Sequence, residues 1–251
     1  MGTKNLLMKI TPNSFNNHLL CALTEPELNQ LIPHLESIAL PRAEVLFDVN
    51  DKLQHLYFPT TAIVSLLNCL EDGSTVEVAM VGNEGLLGVT ALMGRIESST
   101  QAIVNQGGHA YRVSMASLHT LLARSGGRRS GTLQKMILRY IQTLFIQMSQ
   151  SAACNRRHTI EQQLSSWLLS GFDRAGTNTL SITQESISFC LGVRRESVTE
   201  AAYKLQESGV IKYRRGQIEL TNRAGMEIKA CECYKIIKRE SDNLVTEQKA
   251  A

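Results

Sequence analysis

Apolar positions change their spacing several times along this chain, and each change marks a new part. Leu28, Leu31, Ile32 and Leu35 recur at helical spacing behind Thr24, which forms a capping box with Glu27 and is followed by Pro26 in the first turn. From residue 38 to 113 the pattern becomes short β-rich runs at 44–47, 53–58, 63–70, 75–81, 100–105 and 108–113, with Glu71-Asp72-Gly73-Ser74 as a hairpin turn. These runs predict an antiparallel roll or barrel. The segment Ser130 to Ala153 has no proline, and no glycine after Gly131, so it predicts one long helix. Along it Leu133, Ile137, Tyr140, Leu144, Gln147 and Ser151 follow a heptad-like spacing, and Met136, Ile141, Phe145 and Met148 add apolar surface beside them. One face is expected to pack on the roll. A seam of Leu133, Ile137, Tyr140, Ile141, Leu144 and Met148 is expected to meet a second copy of the chain. The helix should break at Asn155 to His158, before a Thr159/Gln162 capping box opens a helix carrying Leu164, Trp167, Leu168 and Leu169.

The stretch from Leu180 to Leu220 reads as a helix-turn-helix with a β-wing. Thr183 is placed to cap a helix bearing Ile187 and Leu191, and Gly192 supplies the left-handed residue of the turn. The second helix turns Val198, Ala201, Ala202 and Leu205 inward, and the two alanines let the helices approach. Its outer face offers Arg194, Arg195, Glu196, Thr199, Glu200 and Tyr203, bordered by Ser197 and Lys204. Arginine matches the O6 and N7 acceptors of guanine and glutamate accepts from cytosine N4, so this face is suited to base edges in a major groove. Arg214-Arg215-Gly216 joins two alternating runs as a hairpin with cations at its tip, a fit for phosphates. The expected DNA-contacting set is Thr183, Gln184, Arg194, Arg195, Glu196, Ser197, Thr199, Glu200, Lys204, Arg214 and Arg215.

With Arg195-Glu196-Ser197-Val198 standing shortly after Gly192-Val193, the chain resembles the Crp/Fnr superfamily of bacterial transcription regulators, from about Leu23 to Tyr234. In that family an Arg-Glu-(Ser/Thr)-Val segment opens the recognition helix. Activator members often carry a second arginine near mid-helix, where this chain has Glu200. The resemblance implies an α+β protein: an N-terminal antiparallel β-roll like a cyclic-nucleotide-binding domain, a long dimerisation helix and a C-terminal winged helix-turn-helix. The corresponding parts are a tail (1–20), the roll (21–127), the dimerisation helix and hinge (128–157) and the DNA-binding domain (158–251). It also places an effector pocket near Gly85, Leu86, Leu87, Gly88, Val89, Ser99 and Thr100. Cyclic-AMP binders of the family have a glutamate directly after the glycine and an arginine further on. Here Val89 follows Gly88, and Ser98-Ser99-Thr100-Gln101 stands where the arginine would fall, so a pocket filled by its own side chains is expected.

Charge and composition agree with this picture. Residues 21–127 hold 5 Lys/Arg against 11 Asp/Glu, whereas 128–223 hold 14 against 7, so the DNA-facing half is the basic one. The composition is that of a globular chain, and no window approaches the apolar length of a membrane helix, so a cytoplasmic protein is expected. Val81 to Gly88 is glycine-rich, but no βαβ unit surrounds it, which argues against a dinucleotide fold. No Ser/His/Asp elbow, GKS/T or HExxH signature supports an enzyme. The six cysteines show no CxxC pair, and Cys231-x-Cys233 on a helix would point its thiols to different sides, so neither a metal nor a cofactor is expected. The expected partners are double-stranded DNA with a two-fold operator, a second copy of the chain and, for an activator, RNA polymerase, with no membrane. A haem- or thiol-responsive regulator and a small-molecule-binding protein without DNA function are the alternatives.

Overall fold

The computed structural model describes residues 15–125 and 131–246. The boundary expected between 127 and 128 and the first fourteen residues of the tail lie outside them. The chain opens with α1 (His18–Cys21) and α2 (Glu25–Leu31). Asn17 caps α1 and is itself buried, donating through Nδ2 to the carbonyls of Pro59 and Gly85 and so tying the start of the chain to the roll.

The roll consists of β1 (Glu36–Leu40), β2 (Val45–Phe47), β3 (His55–Pro59), β4 (Ile63–Cys69), β5 (Thr75–Val81), β6 (Gln101–Gln106) and β7 (Gly108–Ser114). They form two antiparallel sheets, ordered β1-β7-β3 and β2-β6-β4-β5. The β4–β5 hairpin turns at Gly73, whose φ is +82°, as Glu71-Asp72-Gly73-Ser74 predicts. Val89–Met93 is a short 3-10 turn. β1, and the helix α3 (Met115–Ser125) that follows β7, were not read from the sequence.

The hairpin β4–β5 explains how the parts join. In a strand successive side chains face opposite sides. Val64, Leu66, Ala79 and Val81 belong to the core of the roll, while Ile63, Leu67 and Met80 belong to a second core built around Leu164, Trp167 and Leu168. One ribbon therefore serves two cores, which is why β4 reads as a continuous apolar run.

The long helix α4 (Thr132–Arg157) runs without a break past Asn155, and the chain leaves helical geometry at His158 (φ −103°, ψ 152°). Its burial corrects the expected seam. Leu133, Ile137, Tyr140 and Leu144 are buried in the roll core of their own chain, together with Met136. Ile141 and Met148 are only partly covered, and Leu138 and Phe145 are 59% and 72% exposed. The heptad-like spacing is real, but the stripe it picks out packs inward, and the open apolar line runs through Leu138, Ile141, Phe145, Met148 and Ala152.

α5 (Ile160–Ala175) starts at the Thr159/Gln162 capping box. β8 (Thr179–Ser181), α6 (Gln184–Leu191), α7 (Arg195–Glu207), β9 (Ile211–Arg214), β10 (Gln217–Leu220), α8 (Arg223–Lys229) and α9 (Glu232–Thr246) complete the fold. α9 returns to lie along α4 and α5.

Candidate DNA-reading face

Local chemistry positions the two helices of the reader. The Thr183 hydroxyl accepts from the Ser186 amide at 3.1 Å and caps α6. Gly192 ends it with φ +63°, and the Val193 amide closes back on the Ser188 carbonyl at 3.1 Å. Val198, Ala201, Ala202 and Leu205 are buried against Ile187, Leu164 and Leu168. The opposite face of α7 is open: Arg194, Arg195, Glu196, Thr199, Glu200, Tyr203 and Lys204 are exposed and Ser197 is half-buried.

The wing is attached on both sides. β9 and β10 meet at Arg215 (φ +46°) and Gly216 (φ +79°), the two left-handed residues of a type I′ turn. β10 also pairs with β8, which sets Gln217 opposite Ser181 and brings the wing turn beside Thr183. Gln206 accepts from the Tyr213 amide at 2.9 Å, and Thr199 donates to Gln184 at 2.8 Å. Thr183, Gln184, the first turns of α7 and the tip Arg214-Arg215 thus belong to one connected unit. Among the described residues, no ion pair engages Arg194, Arg195, Arg214 or Arg215. Lys204 instead pairs with Glu200 at 2.7 Å, holding that carboxyl below the usual carboxylate range, so these two partly neutralise each other. Tyr203 donates to Glu207 at 2.5 Å.

The structure also shows how the reader is fastened to the roll, which sequence reasoning missed. Trp167 Nε1 donates to Glu77 Oε1 at 2.9 Å, and Ser65 Oγ, beside Cys190, donates to Glu77 Oε2. Burial pushes the Glu77 carboxyl up to about 6, with those hydrogen bonds acting the other way. Arg174 on α5 pairs with Glu84 at 2.6 Å, both largely buried, and Glu84 Oε2 has no hydrogen-bond partner. The signal for Glu77 was available: it is the one charged residue in the strand TVEVAMV.

The glycine-rich run has a packing role at this junction. A Cβ on Gly85 would lie 2.5 Å from the Tyr140 ring of α4, and one on Gly82 would lie 2.9 Å from Arg174 Cβ. The glycines seat two helices. Leu86, Leu87 and Val89 lie in the roll core, and Gly88 backs onto the His55 carbonyl. Ser98 Oγ bonds the Thr100 backbone, Ser99 is exposed, and Gln101 donates to Asp48 at 3.1 Å. Ser98 and Gln101 thus bond within the roll, Gln101 to a carboxylate.

A second cluster lies at the opposite end of α5, where Cys154, His158, Cys231 and Cys233 place their donor atoms within 4.8 Å of one another. This corrects the expectation that one ion could not take both Cys231 and Cys233. Cys231 precedes α9, which starts at Glu232, so the two thiols are not bound by helical geometry.

Residues 37–125 match the family model of the cyclic nucleotide-binding domain, and residues 162–228 match that of the Crp-like helix-turn-helix domain. Together they span more than half of the chain. The chain belongs to the Crp/Fnr superfamily. No curated protein matches it. Solved structures share the fold of this Crp/Fnr protein: FixK2 from Bradyrhizobium japonicum aligns with a TM-score of 0.65 at 16% identity, over 78% of this chain and 98% of that one. A transcriptional regulator of the crp/fnr family from Eubacterium rectale aligns with a TM-score of 0.64 at 16% identity, over 82% and 94%. The c-di-GMP responsive global regulator CLP from Xanthomonas campestris aligns with a TM-score of 0.65 at 14% identity, over 79% and 100%. The architecture is that of a Crp/Fnr-type transcriptional regulator, a cyclic-nucleotide-binding-like roll joined to a helix-turn-helix. No described helix is long and apolar enough to cross a membrane.

Proposed function

We propose that this Crp/Fnr protein is a dimeric, cytoplasmic, non-enzymatic regulator that reads a two-fold operator with α7 and braces it with the wing. The observation that carries this reading is the set of exposed arginines that form no ion pair among the described residues, Arg194 and Arg195 at the start of α7 and Arg214 and Arg215 at the wing tip. A guanidinium already paired with a carboxylate would have to break that pair before meeting a base or phosphate, and these four do not. Arg195 and Glu196 address base edges, Ser197 and Thr199 the edges or backbone, and the wing arginines the phosphates. The Glu200–Lys204 pair contributes less, because each partner already meets the other's charge.

The open line Leu138, Ile141, Phe145, Met148 and Ala152 supports a parallel pairing of two α4 helices, which would set two copies of α7 on one side of a duplex. An activator would also engage RNA polymerase. The roll does not answer to cyclic AMP, because its glycine corner is filled by its own leucines and the Ser98–Gln101 segment offers no cation. Two measurements test this reading. Duplex affinity should fall steeply with salt, as binding through several phosphate contacts requires, and a salt-independent or absent affinity for duplex would refute it. Calorimetry with cyclic AMP should show no saturable heat at micromolar concentration, and saturable binding with a matching gain in duplex affinity would return the roll to the cyclic-nucleotide responders.

A further inference from the structure

We propose that Cys154, His158, Cys231 and Cys233 form a closed tetrahedral site for a single zinc ion, which fastens the hinge after α4 to the start of α9. Cys154 lies in the last turn of α4 and His158 follows its end, with the His158 amide donating to the Cys154 carbonyl at 3.0 Å. Cys231 lies just ahead of α9 with its amide donating to Ser166 Oγ at 3.1 Å, and Cys233 lies in the first turn of that helix. The three thiols are buried and form a small cluster of their own, apart from the two main cores.

The separations suit one ion. With Zn–S near 2.3 Å and Zn–N near 2.0–2.1 Å, a tetrahedron sets sulfur atoms about 3.8 Å apart and sulfur about 3.5 Å from nitrogen. Cys154 and Cys231 Sγ are 3.5 Å apart, and Cys233 Sγ is 3.6 Å from His158 Nδ1. The imidazole is already oriented as a ligand. Its Nε2 faces the Glu232 carboxylate at 3.2 Å, and an Nε2–H donated there would leave the Nδ1 lone pair toward the thiols. Ser166 Oγ, 3.1 Å from Cys231 Sγ, can donate to a thiolate. Packing alone explains three small buried side chains, but not an imidazole turned toward them with a carboxylate behind it. A disulfide between Cys154 and Cys231 would leave Cys233 and His158 without a role. An iron–sulfur cluster holds its ligands on different irons, farther apart than donors gathered on one ion, and would have to open this arrangement.

Three thiolates, one neutral imidazole and Zn²⁺ fill four positions and leave none for water, the pattern of a structural centre. Each thiol that binds loses its proton to the buffer. The ion would join three elements, because α5 begins two residues after His158, Ser166 lies on α5, and α9 packs along α4. The angle between the long helix and the DNA reader would then depend on metal.

The test uses the full chain, reduced and stripped of metal under anaerobic conditions, titrated with cobalt(II) alone and then with zinc. One cobalt per chain should bind with intense sulfur-to-metal absorption in the near ultraviolet and tetrahedral bands in the red, and one equivalent of zinc should abolish both. Glu232→Gln keeps all four ligands and should weaken binding about 10- to 100-fold. Cys233→Ser should reduce the charge-transfer intensity by about a third while circular dichroism stays native. If that variant does not fold, the wild-type band intensity, compared with complexes of known thiolate number, still reports three thiolates or fewer. Weak octahedral cobalt spectra would overturn the proposal. So would a Cys154–Cys231 disulfide in protein isolated under reductant, or a brown chromophore that requires iron and sulfide.

Discussion

Replacing both Leu138 and Phe145 with glutamate is expected to turn the proposed dimer into a folded monomer. Full burial of such a side chain contributes about 1.5–3 kcal/mol. Leu138 keeps 59% and Phe145 72% of its surface in water. Covering the remainder is therefore worth about 1–2 kcal/mol each, or about 4–8 kcal/mol for the four side chains of a symmetric pair. Association itself costs about 4–15 kcal/mol, so under the proposed pairing these residues would decide whether a dimer persists at micromolar concentration. Their loss should weaken the dimer about a thousandfold or more, with four carboxylates facing one another as a further penalty. Ile137 and Leu144, 5% and 7% exposed, supply the contrast. Ile137→Ala should cost about 2–5 kcal/mol of folding stability and leave the association constant nearly unchanged. Sedimentation velocity and thermal unfolding on both variants separate the two effects. Intact dimers of L138E/F145E, or stable monomers of Ile137→Ala, would refute the assignment of inward and outward faces.

Further expectations concern the junction between roll and reader. Glu77 binds its proton more tightly in the folded protein, so its contribution is fully present below its ordinary carboxylate range and is lost as pH rises through about 6, amounting to about 2 kcal/mol at neutral pH. Glu77→Gln should flatten the pH dependence of the melting temperature between pH 5 and 7, and an unchanged slope would remove Glu77 from that role. Arg174→Met leaves Glu84 buried without its partner and should destabilise by about 3–5 kcal/mol, with Glu84→Gln restoring part of the loss in the double variant. Purely additive effects would show that the pair is not coupled.

Much of the fold was legible because local chemistry and packing agree. Thr24/Glu27 and Thr159/Gln162 start helices where their side chains say they should, and Gly73 and Gly192 turn the chain where a left-handed residue is needed. What misled was α4, where apolar residues cover more than one face. Spacing alone cannot tell which face meets the roll, and the burial of Leu133, Ile137, Tyr140 and Leu144 in the roll core decides it. The strand β8 is three residues long, too short for its Thr-Leu-Ser alternation to stand out, and its pairing with β10 defines it. The Arg195–Val198 segment opens α7 as the resemblance implies, and the inner face of Val198, Ala201, Ala202 and Leu205 follows from local spacing alone. The cysteine cluster was not legible, since it joins residues 77 positions apart and depends on α9 starting after Cys231.

The most direct test of the central claim is selection of bound duplexes from a random pool, with the wild-type protein and with Arg195→Ala. The wild type should enrich a two-fold site whose half-sites lie about one helical turn, or a multiple of it, apart. Arg195→Ala should lose about 1–3 kcal/mol and relax one base pair in each half-site, with fold and dimer intact. Enrichment of the same site by the variant with undiminished affinity, or of no site by the wild type, would contradict it.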